Sequence, residues 1–344
     1  MGYTKTWKCE GEKLCVETTC SLLLHFWTTA ESGSMASILS SSPYTPCLLV
    51  LLLETTCGTF SNAIVMVIIL KGIKGKKVIK TGNIIRISLS TSNICYSVLV
   101  CASVFSGVLH SGHVQIINPT LTYIVYSLNM FTLSSSSWLT AILSFFYFIK
   151  IVDFKARAIV WTKKNVDVVV PWMMVGAEVV ALFSSFLSML LYINPLRSPV
   201  NDSVIRFNNS KTDMEFFNIT LIPTFVPFFT IVVTTICIAG TLKKHSHNMK
   251  TNMGTLNNKA IKRFRSTVSK IKRLLLAYLL YYLCALLFYF AIAAHVSVQF
   301  WVSLLLLSSY TMVQAILLVV GNPKLQEEAK QMLKCIVCSQ QMHS

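Results

Sequence analysis

Charge is what this sequence has least of. Only 12% of its 344 residues are Asp, Glu, Lys or Arg, where a soluble globular chain carries roughly 25%. A chain of this length with so few charges does not cover a surface facing water. Acidic side chains are scarcer than basic ones, 13 against 30. There is no internal repeat with a period of about 20–50 residues, and neither half resembles the other, which argues against an inverted-repeat transporter. His-Glu-x-x-His, a paired intramembrane Asp, a nucleophile elbow and a phosphate-binding glycine loop are all missing, so nothing supports an enzyme, a metal centre or a cofactor.

Apolar residues are abundant, at 54%, with a mean hydropathy of +0.62. They recur in long stretches to the end of the chain, which reads as one continuous membrane domain over residues 46–321. An external segment, 1–45, precedes it, and a cytoplasmic tail, 322–344, follows. Most of the eleven cysteines lie inside apolar stretches, where cysteine behaves as a small hydrophobe rather than as part of a disulfide framework.

A helix needs about 20 apolar residues to cross a bilayer, because unpaired backbone is not tolerated against lipid. Seven stretches qualify: Cys47–Leu70, Ile84–Leu109, Thr122–Ile149, Val166–Tyr192, Ile219–Leu242, Leu274–Val296 and Phe300–Val320. The expected fold is therefore an all-α bundle of seven transmembrane helices. The net charge of +17 would point to nucleic acid in a soluble protein. Here the cations sit in the gaps between spans, 24 of them on one side and 6 on the other. By the positive-inside rule the richer side is cytoplasmic and the N-terminus is extracellular. Three glycosylation sequons, at Asn201, Asn208 and Asn218, all fall in the gap that this count places outside, with Asn218 close to the membrane. Residues 1–34 fit the pattern poorly. Ser21–Trp27 is too short to span and fits the core of a signal peptide, but Met35 stands about a dozen residues before span one, so the simpler expectation is that 1–34 is an upstream extension with little order.

Seven spans with an outside N-terminus suggest a G-protein-coupled receptor, and motifs must decide the kind. The rhodopsin-type marks are absent: no Asp-Arg-Tyr after span three, no Cys-Trp-x-Pro in span six, no Asn-Pro-x-x-Tyr in span seven. Span one reads Glu54-x3-Gly58-x3-Asn62-x-Ile64, with its three marked residues four apart and hence on one helix face. Span three ends Trp138-Leu-Thr-Ala-Ile-Leu-Ser144-Phe-Phe-Tyr147-Phe-Ile-Lys150-Ile. Span five gives Pro227-Phe228 and then Thr241-Leu-Lys-Lys-His245-x3-Met249. Span six has Ala277-Tyr278-x2-Tyr281, and the tail opens Gly321-Asn-Pro323-Lys-Leu325. Together these fragments, spread over residues 46–326, resemble the type 2, or bitter, taste receptors. Two places depart from that family's pattern. Asn93 stands in span two where the family usually has Arg, and Gln314-Ala315 in span seven where it usually has His-Ser. They leave the type 1 vomeronasal (pheromone) receptors open as an alternative, and a channel or transporter as the alternative from another class.

The resemblance implies a chemosensory receptor at the plasma membrane that takes small molecules into the outer half of the bundle. Carried over position by position, the ligand-facing residues are Val104 and Val108 of span two, and Asn129, Met130, Leu133 and Ser137 of span three. Span six adds Cys284, Ala285 and Phe288, and span seven adds Phe300, Leu304 and Leu307. This lining is mostly apolar with one amide, which favours neutral, lipophilic tastants. Tyr281 stands at the family's activation switch. The partner inside would be a heterotrimeric G protein with a gustducin-like or other Gi-class α subunit. Tyr147, Lys150, His245 and Lys272 are the candidate contacts.

Other residues are read from physical chemistry alone. Glu54 and Glu178 are carboxylates within spans, where a charge is costly and normally meets a polar partner. Glu54 is expected to pack against a neighbouring helix. Glu178 is expected to pair with Ser134–Ser137 or Asn93, or to be protonated, with a counter-ion for a cationic ligand as the sharper alternative. The run Ser134–Ser137 is expected to let span three pack closely. Leu325, Ala329, Met332, Leu333 and Ile336 form an amphipathic stripe that should lie along the membrane. Cys335 and Cys338 at its end are candidate palmitoylation sites. The ten cations between Lys243 and Arg273, with no acid among them, would also attract anionic membrane lipids. His110 and His113 are spaced for a metal but read more simply as solvated loop histidines.

Overall fold

The computed structural model describes residues 45–73, 79–111, 119–152, 157–193, 225–241, 243–244, 280–284, 287, 297–321 and 325–331. Five of the expected spans are complete helices: Thr45–Ile73 (one), Thr81–Ser111 (two), Pro119–Ile151 (three), Val166–Ile193 (four) and Ser297–Gly321 (seven). Each covers the stretch read from hydropathy and extends it by at most three residues at either end. Span five is a helix over Phe225–Thr241. Of span six, residues 280–284 and 287 are described, and they are helical. The segment 1–44, the three sequons, the cluster at Lys243–Arg273 beyond its first two residues, and the tail after 331 lie outside the described residues.

Serine and threonine are frequent in these helices, and lipid offers their hydroxyls no partner. Many of them donate back to their own helix. Thr55 Oγ1 reaches the carbonyl of Leu51 at 2.8 Å, Ser137 Oγ that of Leu133 at 3.0 Å, and Thr140 Oγ1 that of Ser136 at 2.7 Å. The pattern lets a polar residue sit in a span without an orphaned hydroxyl.

Span three forms the centre. Its residues 132–137, 139–144 and 146 are all buried, against spans two, four, five and seven. Span four is its opposite. Val168, Trp172, Val175, Val179, Phe183 and Phe186, three or four residues apart, are all exposed and form a lipid-facing stripe. Spans one and seven approach closely at Gly58. A methyl added there would lie 2.5 Å from Thr311 Oγ1, so the glycine of the span-one motif is required by the packing.

The lysine-rich ends of the helices meet at one end of the bundle. Thr81 Oγ1 at the start of span two donates to the Asp167 carboxylate at the start of span four. Arg86 Nη2 donates to Tyr147 Oη at 2.6 Å, joining spans two and three. The tail helix, Leu325–Gln331, turns 106° from Leu304–Val320. It buries Leu325 and Ala329 against Val65, Ile68, Ile69 and Ala315. The first two residues of the amphipathic stripe thus pack on spans one and seven, while Met332, Leu333 and Ile336 lie outside the described residues. The gap between spans three and four holds an element that its cations did not announce, a short helix over Arg157–Lys164.

Candidate functional site

The middle of the bundle is held by side-chain amides. Asn93, with no exposure at all, donates from Nδ2 to Gln314 Oε1 at 2.7 Å and to Asn62 Oδ1 at 3.2 Å. Its own carbonyl accepts from Ser136 Oγ at 2.7 Å. Gln314 Nε2 donates to Thr140 Oγ1 at 2.7 Å. Asn62 Nδ2 donates to the carbonyls of Gly58 at 2.9 Å and Thr311 at 3.1 Å. Spans one, two, three and seven are thus tied at one level. Both N–H groups and the carbonyl of Asn93 are satisfied, as are those of Asn62. A fully connected network of this kind is stable in a low dielectric, where a half-satisfied one would not be. Asn93 and Gln314, the two departures from the family pattern, are direct partners. Short Asn on span two is met by long Gln on span seven, and no charge is needed between them.

The two carboxylates are placed beside this level. Ser308 Oγ of span seven donates to Glu54 Oε2 at 2.6 Å, which is the neighbouring-helix role expected of Glu54. Ser135 Oγ donates to Glu178 Oε1 at 2.8 Å, which selects one of the partners expected of Glu178. Consecutive serines of span three therefore serve different neighbours: Ser135 faces span four, Ser136 faces span two, and Ser137 bonds within its own helix. The 100° turn per residue makes this unavoidable.

The core is apolar on both sides of this level: toward the lysines Ile85, Leu89, Leu139, Leu143 and Phe146 pack together, and toward the far end a second buried group forms. Leu51, Tyr96, Val100, Leu133 and Leu304 form one buried cluster, with Val104, Tyr281, Trp301 and Leu305 packed against it. Four of the residues carried over as ligand-facing or switching meet here, namely Val104, Leu133, Leu304 and Tyr281. Leu51, Tyr96, Val100, Trp301 and Leu305 were missed. Leu304 and Leu305 are neighbours in a run of four leucines, so periodicity alone did not show which of them faces inward.

Tyr281 has a second set of contacts. Its ring stacks on Tyr310 with centroids 3.7 Å apart and planes inclined by 25°. It also packs on the buried group Ala141, Ile231 and Tyr310. One side chain of span six thus touches both the far cluster and the centre of spans three, five and seven. One residue on, Tyr282 stacks on Phe228 of span five at 4.0 Å.

Other expected site residues are placed as follows. Asn129 lies one turn before Leu133, and its Oδ1 is buried with no hydrogen-bond partner among the described residues. Met130 and Cys284 are half-buried, and Leu307 and Ser137 are buried, none of them in the far cluster. The side chains of Val108 and Phe300, and all of Ala285 and Phe288, lie outside the described residues. At the lysine-rich end, Tyr147 accepts the bond from Arg86, and exposed Lys150 lies 4.4 Å over the Phe146 ring. His245, Lys272, Asn201, Asn208, Asn218, Cys335 and Cys338 lie outside the described residues.

Comparison with known proteins bears on all of these positions. The family described as Taste receptor protein (TAS2R) matches residues 39–337. The chain is 24% identical to taste receptor type 2 member 119 of Rattus norvegicus over 302 residues, covering 85% of this chain and 86% of that one. It is 25% identical to taste receptor type 2 member 39 of Homo sapiens over 300 residues, covering 83% and 85%. Against taste receptor type 2 member 10 of Papio hamadryas the identity is 23% over 244 residues, covering 68% and 78%. The substitutions at Asn93 and Gln314-Ala315 had left the vomeronasal receptors open, and the match over nearly the whole chain decides between the two families. With its helices, its span-one motif and its extent all in agreement, the chain belongs to the bitter taste receptor family of seven-transmembrane, G-protein-coupled receptors.

Proposed function

We propose that this receptor sits in the plasma membrane with its N-terminus outside, binds small and mostly apolar compounds in the outer half of the bundle, and activates a gustducin-like or other Gi-class α subunit. The observation that carries the reading is the far cluster. Spans one, two, three and seven contribute apolar side chains to one place, and Tyr281 links that place to the centre. An apolar lining with few polar groups is the usual character of a small-molecule site. Asn129 supplies the polar handle, since its free Oδ1 accepts a hydrogen bond from a ligand hydroxyl or amide. A ligand that packs better when Tyr281 and Tyr310 are rearranged draws the receptor toward that state, and acts only through this difference in affinity.

The test is a calcium-release screen of bitter compounds in cells that express the chain with a promiscuous G-protein α subunit. Apolar compounds should give responses that Asn129→Leu weakens for hydrogen-bond donors and spares for pure hydrocarbons. Ligand-dependent current or flux in cells lacking G proteins would replace the receptor reading with a channel or transporter. Removal of glycans from Asn201 and Asn208 by endoglycosidase checks the orientation separately.

A further inference from the structure

The short helix Arg157–Lys164 carries a surface that neither ligand binding nor the inter-span ties account for. It joins span four through the single residue Asn165. The backbone N–H and the side-chain Nδ2 of Asn165 both donate to the Trp161 carbonyl at 3.1 Å. The Asn165 carbonyl in turn accepts from Val168 N at 3.0 Å and Val169 N at 2.9 Å. One residue therefore ends one helix and starts the next, so the short helix leads directly into the start of span four with no loop between them. Trp161 lies five positions before the first residue of that span, within about 10 Å along the chain at helical rise and a short turn.

Four residues at i, i+3, i+4 and i+7 line one face: Arg157, Val160, Trp161 and Lys164, all exposed. Trp161 is 60% exposed and Val160 40%. The helix contains no acid, and the nearest one among the described residues, Asp167, already accepts from Thr81; Asp153, four residues before Arg157, lies outside the described residues. Cations placed only to set topology need no particular face. Two of the helix's three cations flank a tryptophan and a valine on one stripe beside the end of a membrane span, and the third, Lys163, is exposed off that stripe. Tryptophan favours the boundary between headgroups and acyl chains, and Lys and Arg extend along such a boundary toward phosphate.

The geometry points to a docking face for anionic lipid: we propose that Trp161 and Val160 enter the headgroup boundary of the adjoining leaflet while Arg157 and Lys164 hold lipid phosphates on either side. The occupant is a negatively charged membrane surface, because an apolar pair set between cations matches a lipid's acyl chain and headgroup together. A G-protein surface is the competing occupant, and the experiment separates the two.

The full chain is placed in nanodiscs of phosphatidylcholine, with or without phosphatidylserine, some carrying brominated acyl chains. Trp161 emission is taken as the difference between the chain and its Trp161→Phe variant. Quenching by brominated lipid should be several-fold stronger with phosphatidylserine present. In about 1 M salt, where the screening length falls to about 3 Å, that increment should vanish. The double variant Arg157→Gln, Lys164→Gln should lose the increment while keeping the phosphatidylcholine level, which also shows that it is folded. Quenching equal in both lipids and indifferent to the double variant overturns the proposal. So does a Trp161 signal untouched by brominated lipid but shielded from aqueous iodide by added G-protein heterotrimer, which would give the face to that partner.

Discussion

The middle level and the far cluster hold the same helices together by different physics. At the middle, Asn62, Asn93, Ser136, Thr140 and Gln314 are tied by directional bonds of 2.7–3.2 Å. At the far end, Leu51, Val100, Leu133 and Leu304 meet through shape alone, with Tyr96 among them. A hydrogen-bonded network has few alternative arrangements, because each partial rearrangement orphans a polar group. An apolar cluster has no directional bonds to orphan and tolerates hydrophobic swaps that keep its volume. The division suits the proposed function, with an adaptable region at the proposed ligand site above a level whose bonds keep the helices in register. Tyr281 lies between the two and touches both.

The largest expected effect comes from Gly58, which brings spans one and seven close enough for the middle level to form. Gly58→Leu should abolish folded receptor at the cell surface, since even a methyl would stand 2.5 Å from Thr311 Oγ1. Gly58→Ala should cost about 1–3 kcal/mol by overpacking, read as a lowered melting temperature in nanodiscs. Thr311→Ala, which removes the clashing oxygen, should recover much of that loss. A Gly58→Leu receptor that expresses and melts normally would show that the close approach is not needed.

Next is the amide pair. Gln314→Leu removes the acceptor of Asn93 and the donor to Thr140, and interhelical bonds in membranes measure about 0.6–2 kcal/mol each. A double-mutant cycle of Asn93→Ala and Gln314→Ala should return a coupling in that range. Additive losses would mean that the two substitutions relative to the family are independent. By contrast Leu133→Met in the far cluster, which keeps the buried volume, should leave expression near normal. It should instead shift the half-maximal concentration of apolar agonists about tenfold, equivalent to about 1.4 kcal/mol. If Leu133→Met harmed folding more than Gln314→Leu did, the roles given to the two regions would be reversed.

This contrast also marks what was readable in the chain itself. Span positions follow from length and hydropathy, so five helices came within three residues of their expected ends. Glu54 was expected to meet a neighbouring helix, and Ser308 is there. The pairing of Asn93 with Gln314 spans 221 positions, and no local pattern encodes it. Each residue alone looked like a defect in a family motif. The helix Arg157–Lys164 was hidden because eight residues of mixed polarity give no spanning signal. Tyr310, which stacks on Tyr281, sits in a span already apolar all round, where a buried aromatic leaves no mark in the sequence.

The smallest expected effect is at Glu178, and it sharpens the comparison because a carboxylate in a span invites a larger role. Its one hydrogen bond among the described residues is from Ser135 Oγ, on the side of span three that faces span four. The far cluster is reached from Leu133, and the amide level from Ser136. Those residues stand about 200° and 100° around the helix from Ser135. Glu178 is therefore not directed at the far cluster proposed to take the ligand. Glu178→Gln keeps an oxygen that accepts from Ser135, so stability should change by no more than about 0.5 kcal/mol. Responses to cationic and neutral agonists should both be unaltered in the calcium assay. Glu178→Leu removes the acceptor, but Ser135 is able to turn its hydroxyl back to its own helix, and that loss should also be modest. A selective loss of cationic agonists in Glu178→Gln would restore the counter-ion reading and place a second, charged ligand region between spans three and four.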